Sequence, residues 1–345
     1  MFAEAEKANK KLISYSLFGG EPTINWEVVE NAIKITKELE NKTNIKCYKA
    51  IVTNGVMEDF KSDFLSKNFD FIYFSLDGPK ELFIKQRRSN NSDKLYNIIY
   101  NNAKKIYKTD SYLSFKITVT SFTIDYLKEI DDFFSDNFPT CSRLYQPCMV
   151  DENDILYVDF SYFLEKYLEL KRYSIFPKNM MNSLYKNKPS DRFCNLSIRN
   201  VIYPNGNVLS CHRSNMCIPE DKIRSEFYVG YWKDGIIYRD LEKHEYMKTF
   251  EVDNIEDCKD CIFKYHCCGG CPTIKLLSKN PNMFRKSDYC ETMLKYSYTL
   301  LMSRLFNINM EYIKELPINK TVEKNEVSEK YFKDRFLNNI IKIEE

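Results

Sequence analysis

Long apolar runs are missing from this sequence. No stretch approaches the roughly eighteen residues needed to span a bilayer, so a membrane-spanning helix is not expected. An excess of one charge is missing too. Lys and Arg total 51 against 49 Asp and Glu, a formal net charge of +2, and no basic footprint points to nucleic acid. No apolar export segment opens the chain, and 345 residues suffice for about two domains with cores of their own, which argues against a disulfide-stapled secreted scaffold. Twelve reduced cysteines without an export signal place the protein in a cytosol. Glycine is scarce: nine residues, at 19, 20, 55, 78, 206, 230, 235, 269 and 270. In such a chain each glycine is expected where the backbone tolerates nothing else. Cysteine does not occur before Cys47, which stands alone in an apolar stretch.

What is present is a dense cysteine array in the C-terminal part. Cys194 and Cys211 flank Gly206 in the order C-x11-G-x4-C; then come Cys258, Cys261, Cys267 and Cys271 as C-x2-C-x5-C-x3-C, and later Cys290. Thiolates packed this closely repel one another and oxidise unless a positive centre binds them. Each [4Fe–4S] unit takes four sulfurs, so seven or eight thiolates suggest two such units. Structural zinc also takes four thiolates, but its usual ribbon is a pair of C-x-x-C knuckles with a longer spacer, and the spacings after Cys258 and Cys261 are unequal. Iron–sulfur is the reading the spacing favours.

The N-terminal part alternates strand and helix patterns. Leu12 to Phe18 is a buried-strand pattern running into Gly19-Gly20-Glu21-Pro22. The glycines permit close approach of a ligand, and Glu21 offers an acceptor for an ammonium group. Ala50 to Thr53 closes on Asn54-Gly55, Phe71 to Ser75 closes on Leu76-Asp77-Gly78 with Arg87-Arg88 after it, and Phe115 to Thr120 and Arg143 to Val150 complete five strands. Helical spacing occupies Trp26 to Glu40, Leu95 to Tyr107 and Ile124 to Phe134. Repeats of this kind predict a parallel α/β sheet with its chemistry at the strand C-termini.

The cysteine order from Cys194 to Cys290 resembles the SPASM auxiliary-cluster domain of radical S-adenosylmethionine (SAM) enzymes that modify peptides and proteins, and Gly19-Gly20-Glu21-Pro22 resembles their methionine-binding motif. The resemblance implies an α/β fold, a partial (β/α)6 barrel lacking its first strand, followed by the cysteine-rich domain. It implies SAM binding at Gly19, Gly20, Glu21, Pro22, Thr53, Asn54, Ser75 and Asp77. It implies two auxiliary [4Fe–4S] clusters, one on Cys258, Cys261, Cys267 and Cys290, the other on Cys194, Cys211 and Cys271. For the second, the fourth ligand stays open between Cys217 and an iron left for substrate; some relatives carry a cysteine where Asn200 stands. Further implications are a precursor peptide or protein as substrate, thioether crosslinking as one outcome, and a flavodoxin- or ferredoxin-type electron donor. In the family, reductive cleavage of SAM gives a radical that takes a hydrogen atom from the substrate. Expected divisions are the barrel at 1–150, a helical linker at 151–193, the cluster domain at 194–306 and a charged tail at 307–345.

The family's C-x3-C-x2-C run, which holds the SAM-cleaving cluster upstream of Gly-Gly-Glu-Pro, is absent from the sequence. Truncation, a start codon placed too late, or a pseudoenzyme that only binds peptide would each account for it. The retention of Glu21 and its companions favours the first two, and a sheet without its first strand would leave an unpaired edge. Several features carry plainer expectations. Cys141 and Cys148 read as inert buried thiols. Cys268 is an alternative ligand to Cys267. His212 stands where sulfatase-maturing relatives carry an aspartate base, which departs from that activity. Met247 to Asp257 reads as a solvated connection, Thr292 to Leu305 as an apolar packing helix, and Lys330 to Ile343 as a surface helix in the tail.

Overall fold

The computed structural model describes residues 1–87, 89, 91–109, 111–148, 150, 153–170, 190–194, 196, 199–212, 226–276, 282–286, 290, 291, 293, 294 and 297. Arg88, Cys217, residues 151, 152 and 171–189 of the expected linker and all of the chain beyond 297 lie outside them. The chain forms two units, Met1–Cys290 and Glu291–Glu345. In the second, Met293 and Ser297 are buried and the Ser297 hydroxyl donates to the Met293 carbonyl at 2.7 Å, one turn of the expected apolar helix.

Five parallel strands build the first part of the larger unit: β1 (Leu12–Leu17), β2 (Lys46–Thr53), β3 (Phe71–Ser75), β4 (Tyr112–Val119) and β5 (Ser142–Pro147), in sequential spatial order. Between them run α2 (Trp26–Thr43), α3 (Asp59–Asn68), α4 (Lys80–Gln86), α5 (Ser92–Tyr107) and α6 (Leu127–Asn137), with α1 (Phe2–Lys7) ahead and α7 (Phe160–Glu169) behind. Parallel neighbours need a crossover, and the helices supply it. Termination is local: α2 ends at Asn44 in the left-handed region (φ 56°), its N–H donating to the Glu40 carbonyl, so the chain turns into β2.

The two faces of this sheet differ. Ile51, Ile72, Phe74, Phe115, Ile117 and Val119 are buried under the helices, and Phe115 packs on Phe134 and Phe138 of α6 and its end at 4.7 and 4.6 Å between ring centres. Alternating positions on the other face, Ser14, Ser16, Tyr73, Ser75, Lys116 and Thr118, are polar and half-buried or exposed. A parallel sheet is ordinarily covered by apolar packing on both sides. Among the described residues one face of this sheet is thus polar and open, a surface suited to a hydrophilic ligand.

The cysteine-rich part holds an antiparallel sheet that the strand patterns did not disclose: β6 (Val201–Ile202), β7 (Asn207–Leu209), β8 (Tyr228–Lys233) and β9 (Ile236–Arg239), followed by α8 (Leu241–Lys248). Asp240 caps α8, its carboxylate accepting from the Lys243 N–H at 3.0 Å. The stretch Met247 to Asp257 is not the solvated connection its acids suggested. Met247, Val252 and Ile255 are buried while the acidic residues face outward, so a few apolar anchors pin the segment to the core.

Candidate functional site

Glu21 organises the end of β1. It precedes a short turn begun by Pro22, and its carboxylate accepts hydrogen bonds from the Thr23 N–H at 3.1 Å, the Thr23 hydroxyl at 2.8 Å, the Thr53 hydroxyl at 2.9 Å and the Asn54 N–H at 2.6 Å. Thr53 is buried at the end of β2, and its hydroxyl also accepts from the Gly55 N–H at 3.1 Å. The parallel register that sets Leu17 beside Ile51 thus holds the carboxylate in one orientation at the sheet's C-terminal edge.

Gly19 and Gly20 depart from expectation. Neither adopts a left-handed backbone, and an added Cβ at either would meet nothing within 4 Å. The protein itself does not require glycine there. An open cradle beside an oriented carboxylate fits a ligand that approaches the backbone closely, as an amino-acid head group would.

At the neighbouring strand end Ser75 is half-buried, its Cα paired with that of Lys116. Asp77 is 1% exposed and its carboxylate accepts from Arg87 Nε at 2.6 Å and from the Thr118 N–H at 2.9 Å, tying the ends of β3 and β4 together. Lys116 points from β4 over the open face, its ammonium 5.3 Å from the centre of the Phe18 ring and 5.6 Å from that of Tyr73. His212 meets the same Phe18 ring edge-on at 5.7 Å, and its Nδ1 lies 3.4 Å from Arg199 Nη1. The residue after Cys211 therefore touches the residue before Gly19: barrel mouth and cysteine array are neighbours.

The C-x11-G-x4-C order has a structural meaning. Gly206 (φ 85°) turns the hairpin between β6 and β7, where a Cβ would stand 2.9 Å from the Trp232 carbonyl oxygen. Antiparallel return of β7 brings Cys211 back into the core cluster of Leu196, Val208, Leu209 and Phe227, against which Cys194 also packs. Cys211 Sγ lies 3.1 Å from the Thr273 hydroxyl.

In the second cysteine run, Cys258 and Cys267 are pushed up by burial, to about 11 and about 12, and each is raised further by Cys290 and Cys261. The thiols of this run thus oppose one another's ionisation. Cys268 points elsewhere. It stands in C-x-x-C spacing with Cys271, yet it takes a left-handed backbone (φ 53°) and its thiol donates to the Ser190 carbonyl at 3.1 Å. Among the described residues no disulfide forms, and no group of three or more His, Cys, Asp or Glu side chains stands ready to hold a metal ion. The donor set is nevertheless of the right kind for a thiolate-bound centre: cysteines gathered in a buried region, with burial opposing their ionisation until a cation compensates. Cys217 lies outside the described residues. Lys275, buried among these thiols and shifted down by that burial, carried no signal in the sequence beyond its place one helical turn after Cys271.

In sequence and in fold this chain is similar to enzymes that mature or modify other molecules, a radical SAM enzyme among them. No protein-family model matches it. It is 25% identical over 329 residues to a cysteine-type anaerobic sulfatase-maturating enzyme of Clostridium perfringens, covering 86% of this chain and 83% of the relative. A radical SAM cyclopropyl synthase, TigE of Paramaledivibacter caminithermalis, is 26% identical over 286 residues, 77% of this chain and 55% of that protein. In fold it resembles native anSMEcpe with bound AdoMet (TM-score 0.70, 18% identity, 90% of this chain and 89% of that one) and, more distantly, Streptococcus suis SuiB bound to the precursor peptide SuiA (TM-score 0.54, 15% identity, 84% and 67%).

Proposed function

We propose that this protein is a radical SAM maturase that modifies a side chain of a peptide or protein, with two auxiliary iron–sulfur clusters next to its barrel mouth. The observation that carries the reading is the Glu21 carboxylate, held by Thr53 and Asn54 beside two glycines that nothing in the chain itself requires. In this reading Glu21 accepts from the ammonium group of SAM while Gly19 and Gly20 admit its backbone-like atoms. Pro22 and Thr53 keep the carboxylate in place, Asn54 and Ser75 line the approach, and Asp77 acts through Arg87 and the Thr118 N–H to fix the rim. Cleaved reductively, SAM would supply hydrogen-atom abstraction; the C-x3-C-x2-C run expected to hold the cleaving cluster is not in the sequence.

Cys258, Cys261, Cys267 and Cys290 would hold one auxiliary cluster, and Cys194, Cys211 and Cys271 the other. The contact between Phe18 and His212 supports this arrangement, because it sets the first residue after Cys211 against the SAM site. A relative named as sulfatase-maturating, and two neighbours solved with bound peptides, support a polypeptide substrate. A histidine at 212 and a ribosomally made peptide, thioether-crosslinked in one outcome, are a better match than sulfatase maturation.

Anaerobic reconstitution followed by iron and sulfide analysis tests the reading. About eight irons per chain are expected for two clusters; one or two zincs without sulfide would end it. A second reading is a peptide-binding protein without catalysis. Formation of 5′-deoxyadenosine from SAM under reducing conditions separates the two.

A further inference from the structure

A buried amide on α5 stands behind the loop that holds Glu21, and the function above leaves it unused. Asn102 lies on the apolar stripe of the helix, between Ile99 and Ile106, and is 2% exposed, whereas its neighbour Asn101 is exposed. Asparagine suits neither a helix nor a core, because its amide competes with the backbone and must find partners wherever it is enclosed. The partners here are on another element. Nδ2 donates to the Gly55 carbonyl at 3.0 Å and to the Met57 carbonyl at 2.8 Å, both in the loop that follows β2. Two carbonyls call for two N–H groups, so the amide nitrogen, and not its oxygen, has to face the loop.

The same loop carries the groups that hold the glutamate. Gly55 takes a left-handed backbone (φ 78°) and its N–H donates to the Thr53 hydroxyl at 3.1 Å; that hydroxyl donates to Glu21 Oε1 at 2.9 Å. The Asn54 N–H reaches Glu21 Oε2 at 2.6 Å, while the Asn54 side chain folds back to accept from the Val56 N–H at 2.8 Å. Asn102 ties this loop to the helix layer. With Gly55 and Met57 fixed from behind, the peptide between Thr53 and Asn54 keeps its N–H aimed at the carboxylate. A carboxylate already aimed loses less freedom when a ligand binds. We propose that Asn102 is a positioning residue for SAM binding, which fixes, through the Gly55 and Met57 carbonyls, the loop that orients Glu21 toward the ammonium group of the ligand. It acts through the loop and has no part in bond-making. The proposal rests on the role given to Glu21 above.

Calorimetry with two thionucleosides tests it: S-adenosylhomocysteine carries the ammonium group, and 5′-methylthioadenosine lacks the amino-acid portion. Wild-type protein, Asn102→Leu and Ile99→Ala are compared, the last as a cavity one turn away in the same helix that removes no donor. Wild type should bind S-adenosylhomocysteine more tightly than methylthioadenosine. Asn102→Leu should lose about fivefold or more of that preference, with its affinity for methylthioadenosine unchanged, and Ile99→Ala should keep the preference. A preference kept in Asn102→Leu overturns the proposal. So does an equal weakening of both ligands, which marks a general loosening, or an equal loss of preference in Ile99→Ala. If Asn102→Leu does not fold, Asn102→Asp, which keeps the shape and sets oxygens against both carbonyls, is read by the same preference. If neither folds, the residue serves folding and the proposal falls. A wild type that does not distinguish the two ligands would remove the ammonium-binding role of Glu21 itself, and the proposal with it; that result is read before any variant.

Discussion

Gly19 and Gly55 both follow a strand in the sequence, and they answer to different demands. Gly55 has φ 78°, and a Cβ on it would stand 2.2 Å from Cζ of Phe74. Gly55→Ala combines backbone strain with overpacking and should destabilise the fold by about 2–4 kcal/mol, read as a lower urea midpoint. Gly19→Ala should change stability by less than about 0.5 kcal/mol, since nothing surrounds the new methyl group. In cluster-loaded protein the same change should weaken SAM binding about tenfold or more by calorimetry. Unchanged binding would remove SAM from that cradle. The thiols separate in a comparable way. Burial pushes Cys47 and Cys141 up to about 11 from 9.0, so their thiolate fraction at pH 8 is about 100-fold below that of an ordinary cysteine. Iodoacetamide labelling followed by mass spectrometry should find both slow at pH 8 and faster as the pH climbs toward 11. Rapid labelling at pH 8 would show that these side chains are not sequestered. A cysteine's chemistry is thus set by its surroundings, and the residue name discloses only half of it.

At the scale of elements, β5 and α6 are joined by a buried ion pair. Arg143 Nη1 donates to Asp131 Oδ1 at 2.7 Å and to the Ser135 hydroxyl at 3.1 Å, and the Tyr145 hydroxyl donates to the same Oδ1 at 2.9 Å. The two charged side chains are 1% and 5% exposed. Arg143→Met would remove the cation beside the buried Asp131 carboxylate and should cost about 3–5 kcal/mol in chemical denaturation, more than the double variant Arg143→Met, Asp131→Leu. Equal costs would mean the pair is not coupled. Neither residue advertised its partner: a basic residue in a strand and an acidic residue in a helix read as surface charge until tertiary packing encloses both. Helices and long strands were legible because their periodicity extends over many residues, as in α2 and β4. In the antiparallel sheet β6 and β7 escaped because they are two and three residues long, shorter than any pattern that could distinguish them from loop. Its hairpin nonetheless left a trace as the glycine between Cys194 and Cys211, a turn recorded as a spacing.

For the molecule as a whole, the cysteine array and the barrel should respond differently to cluster loading. Ligand thiols and the loops that carry them gain order when a centre binds, whereas the sheet of β1 to β5 has its own apolar core. Hydrogen exchange should therefore slow within residues 190–212 and 256–276 on reconstitution and stay constant across β2 to β4. Uniform exchange in both states would indicate that no centre organises the array. This division also marks how far the chain could be read without coordinates. Local order determined the alternation of strands and helices, the strand-end motifs and the cysteine spacing, because each depends on residues a few positions apart. Only the tertiary structure decided that the Glu21 carboxylate is held by Thr53 and Asn54, 32 and 33 residues away, that Phe18 meets His212, and that Lys275 is enclosed beside the thiols. The reason is physical: strand register and burial bring together groups whose separation along the chain carries no periodic signal, and the desolvation that changes their chemistry exists only once the surrounding elements have closed over them.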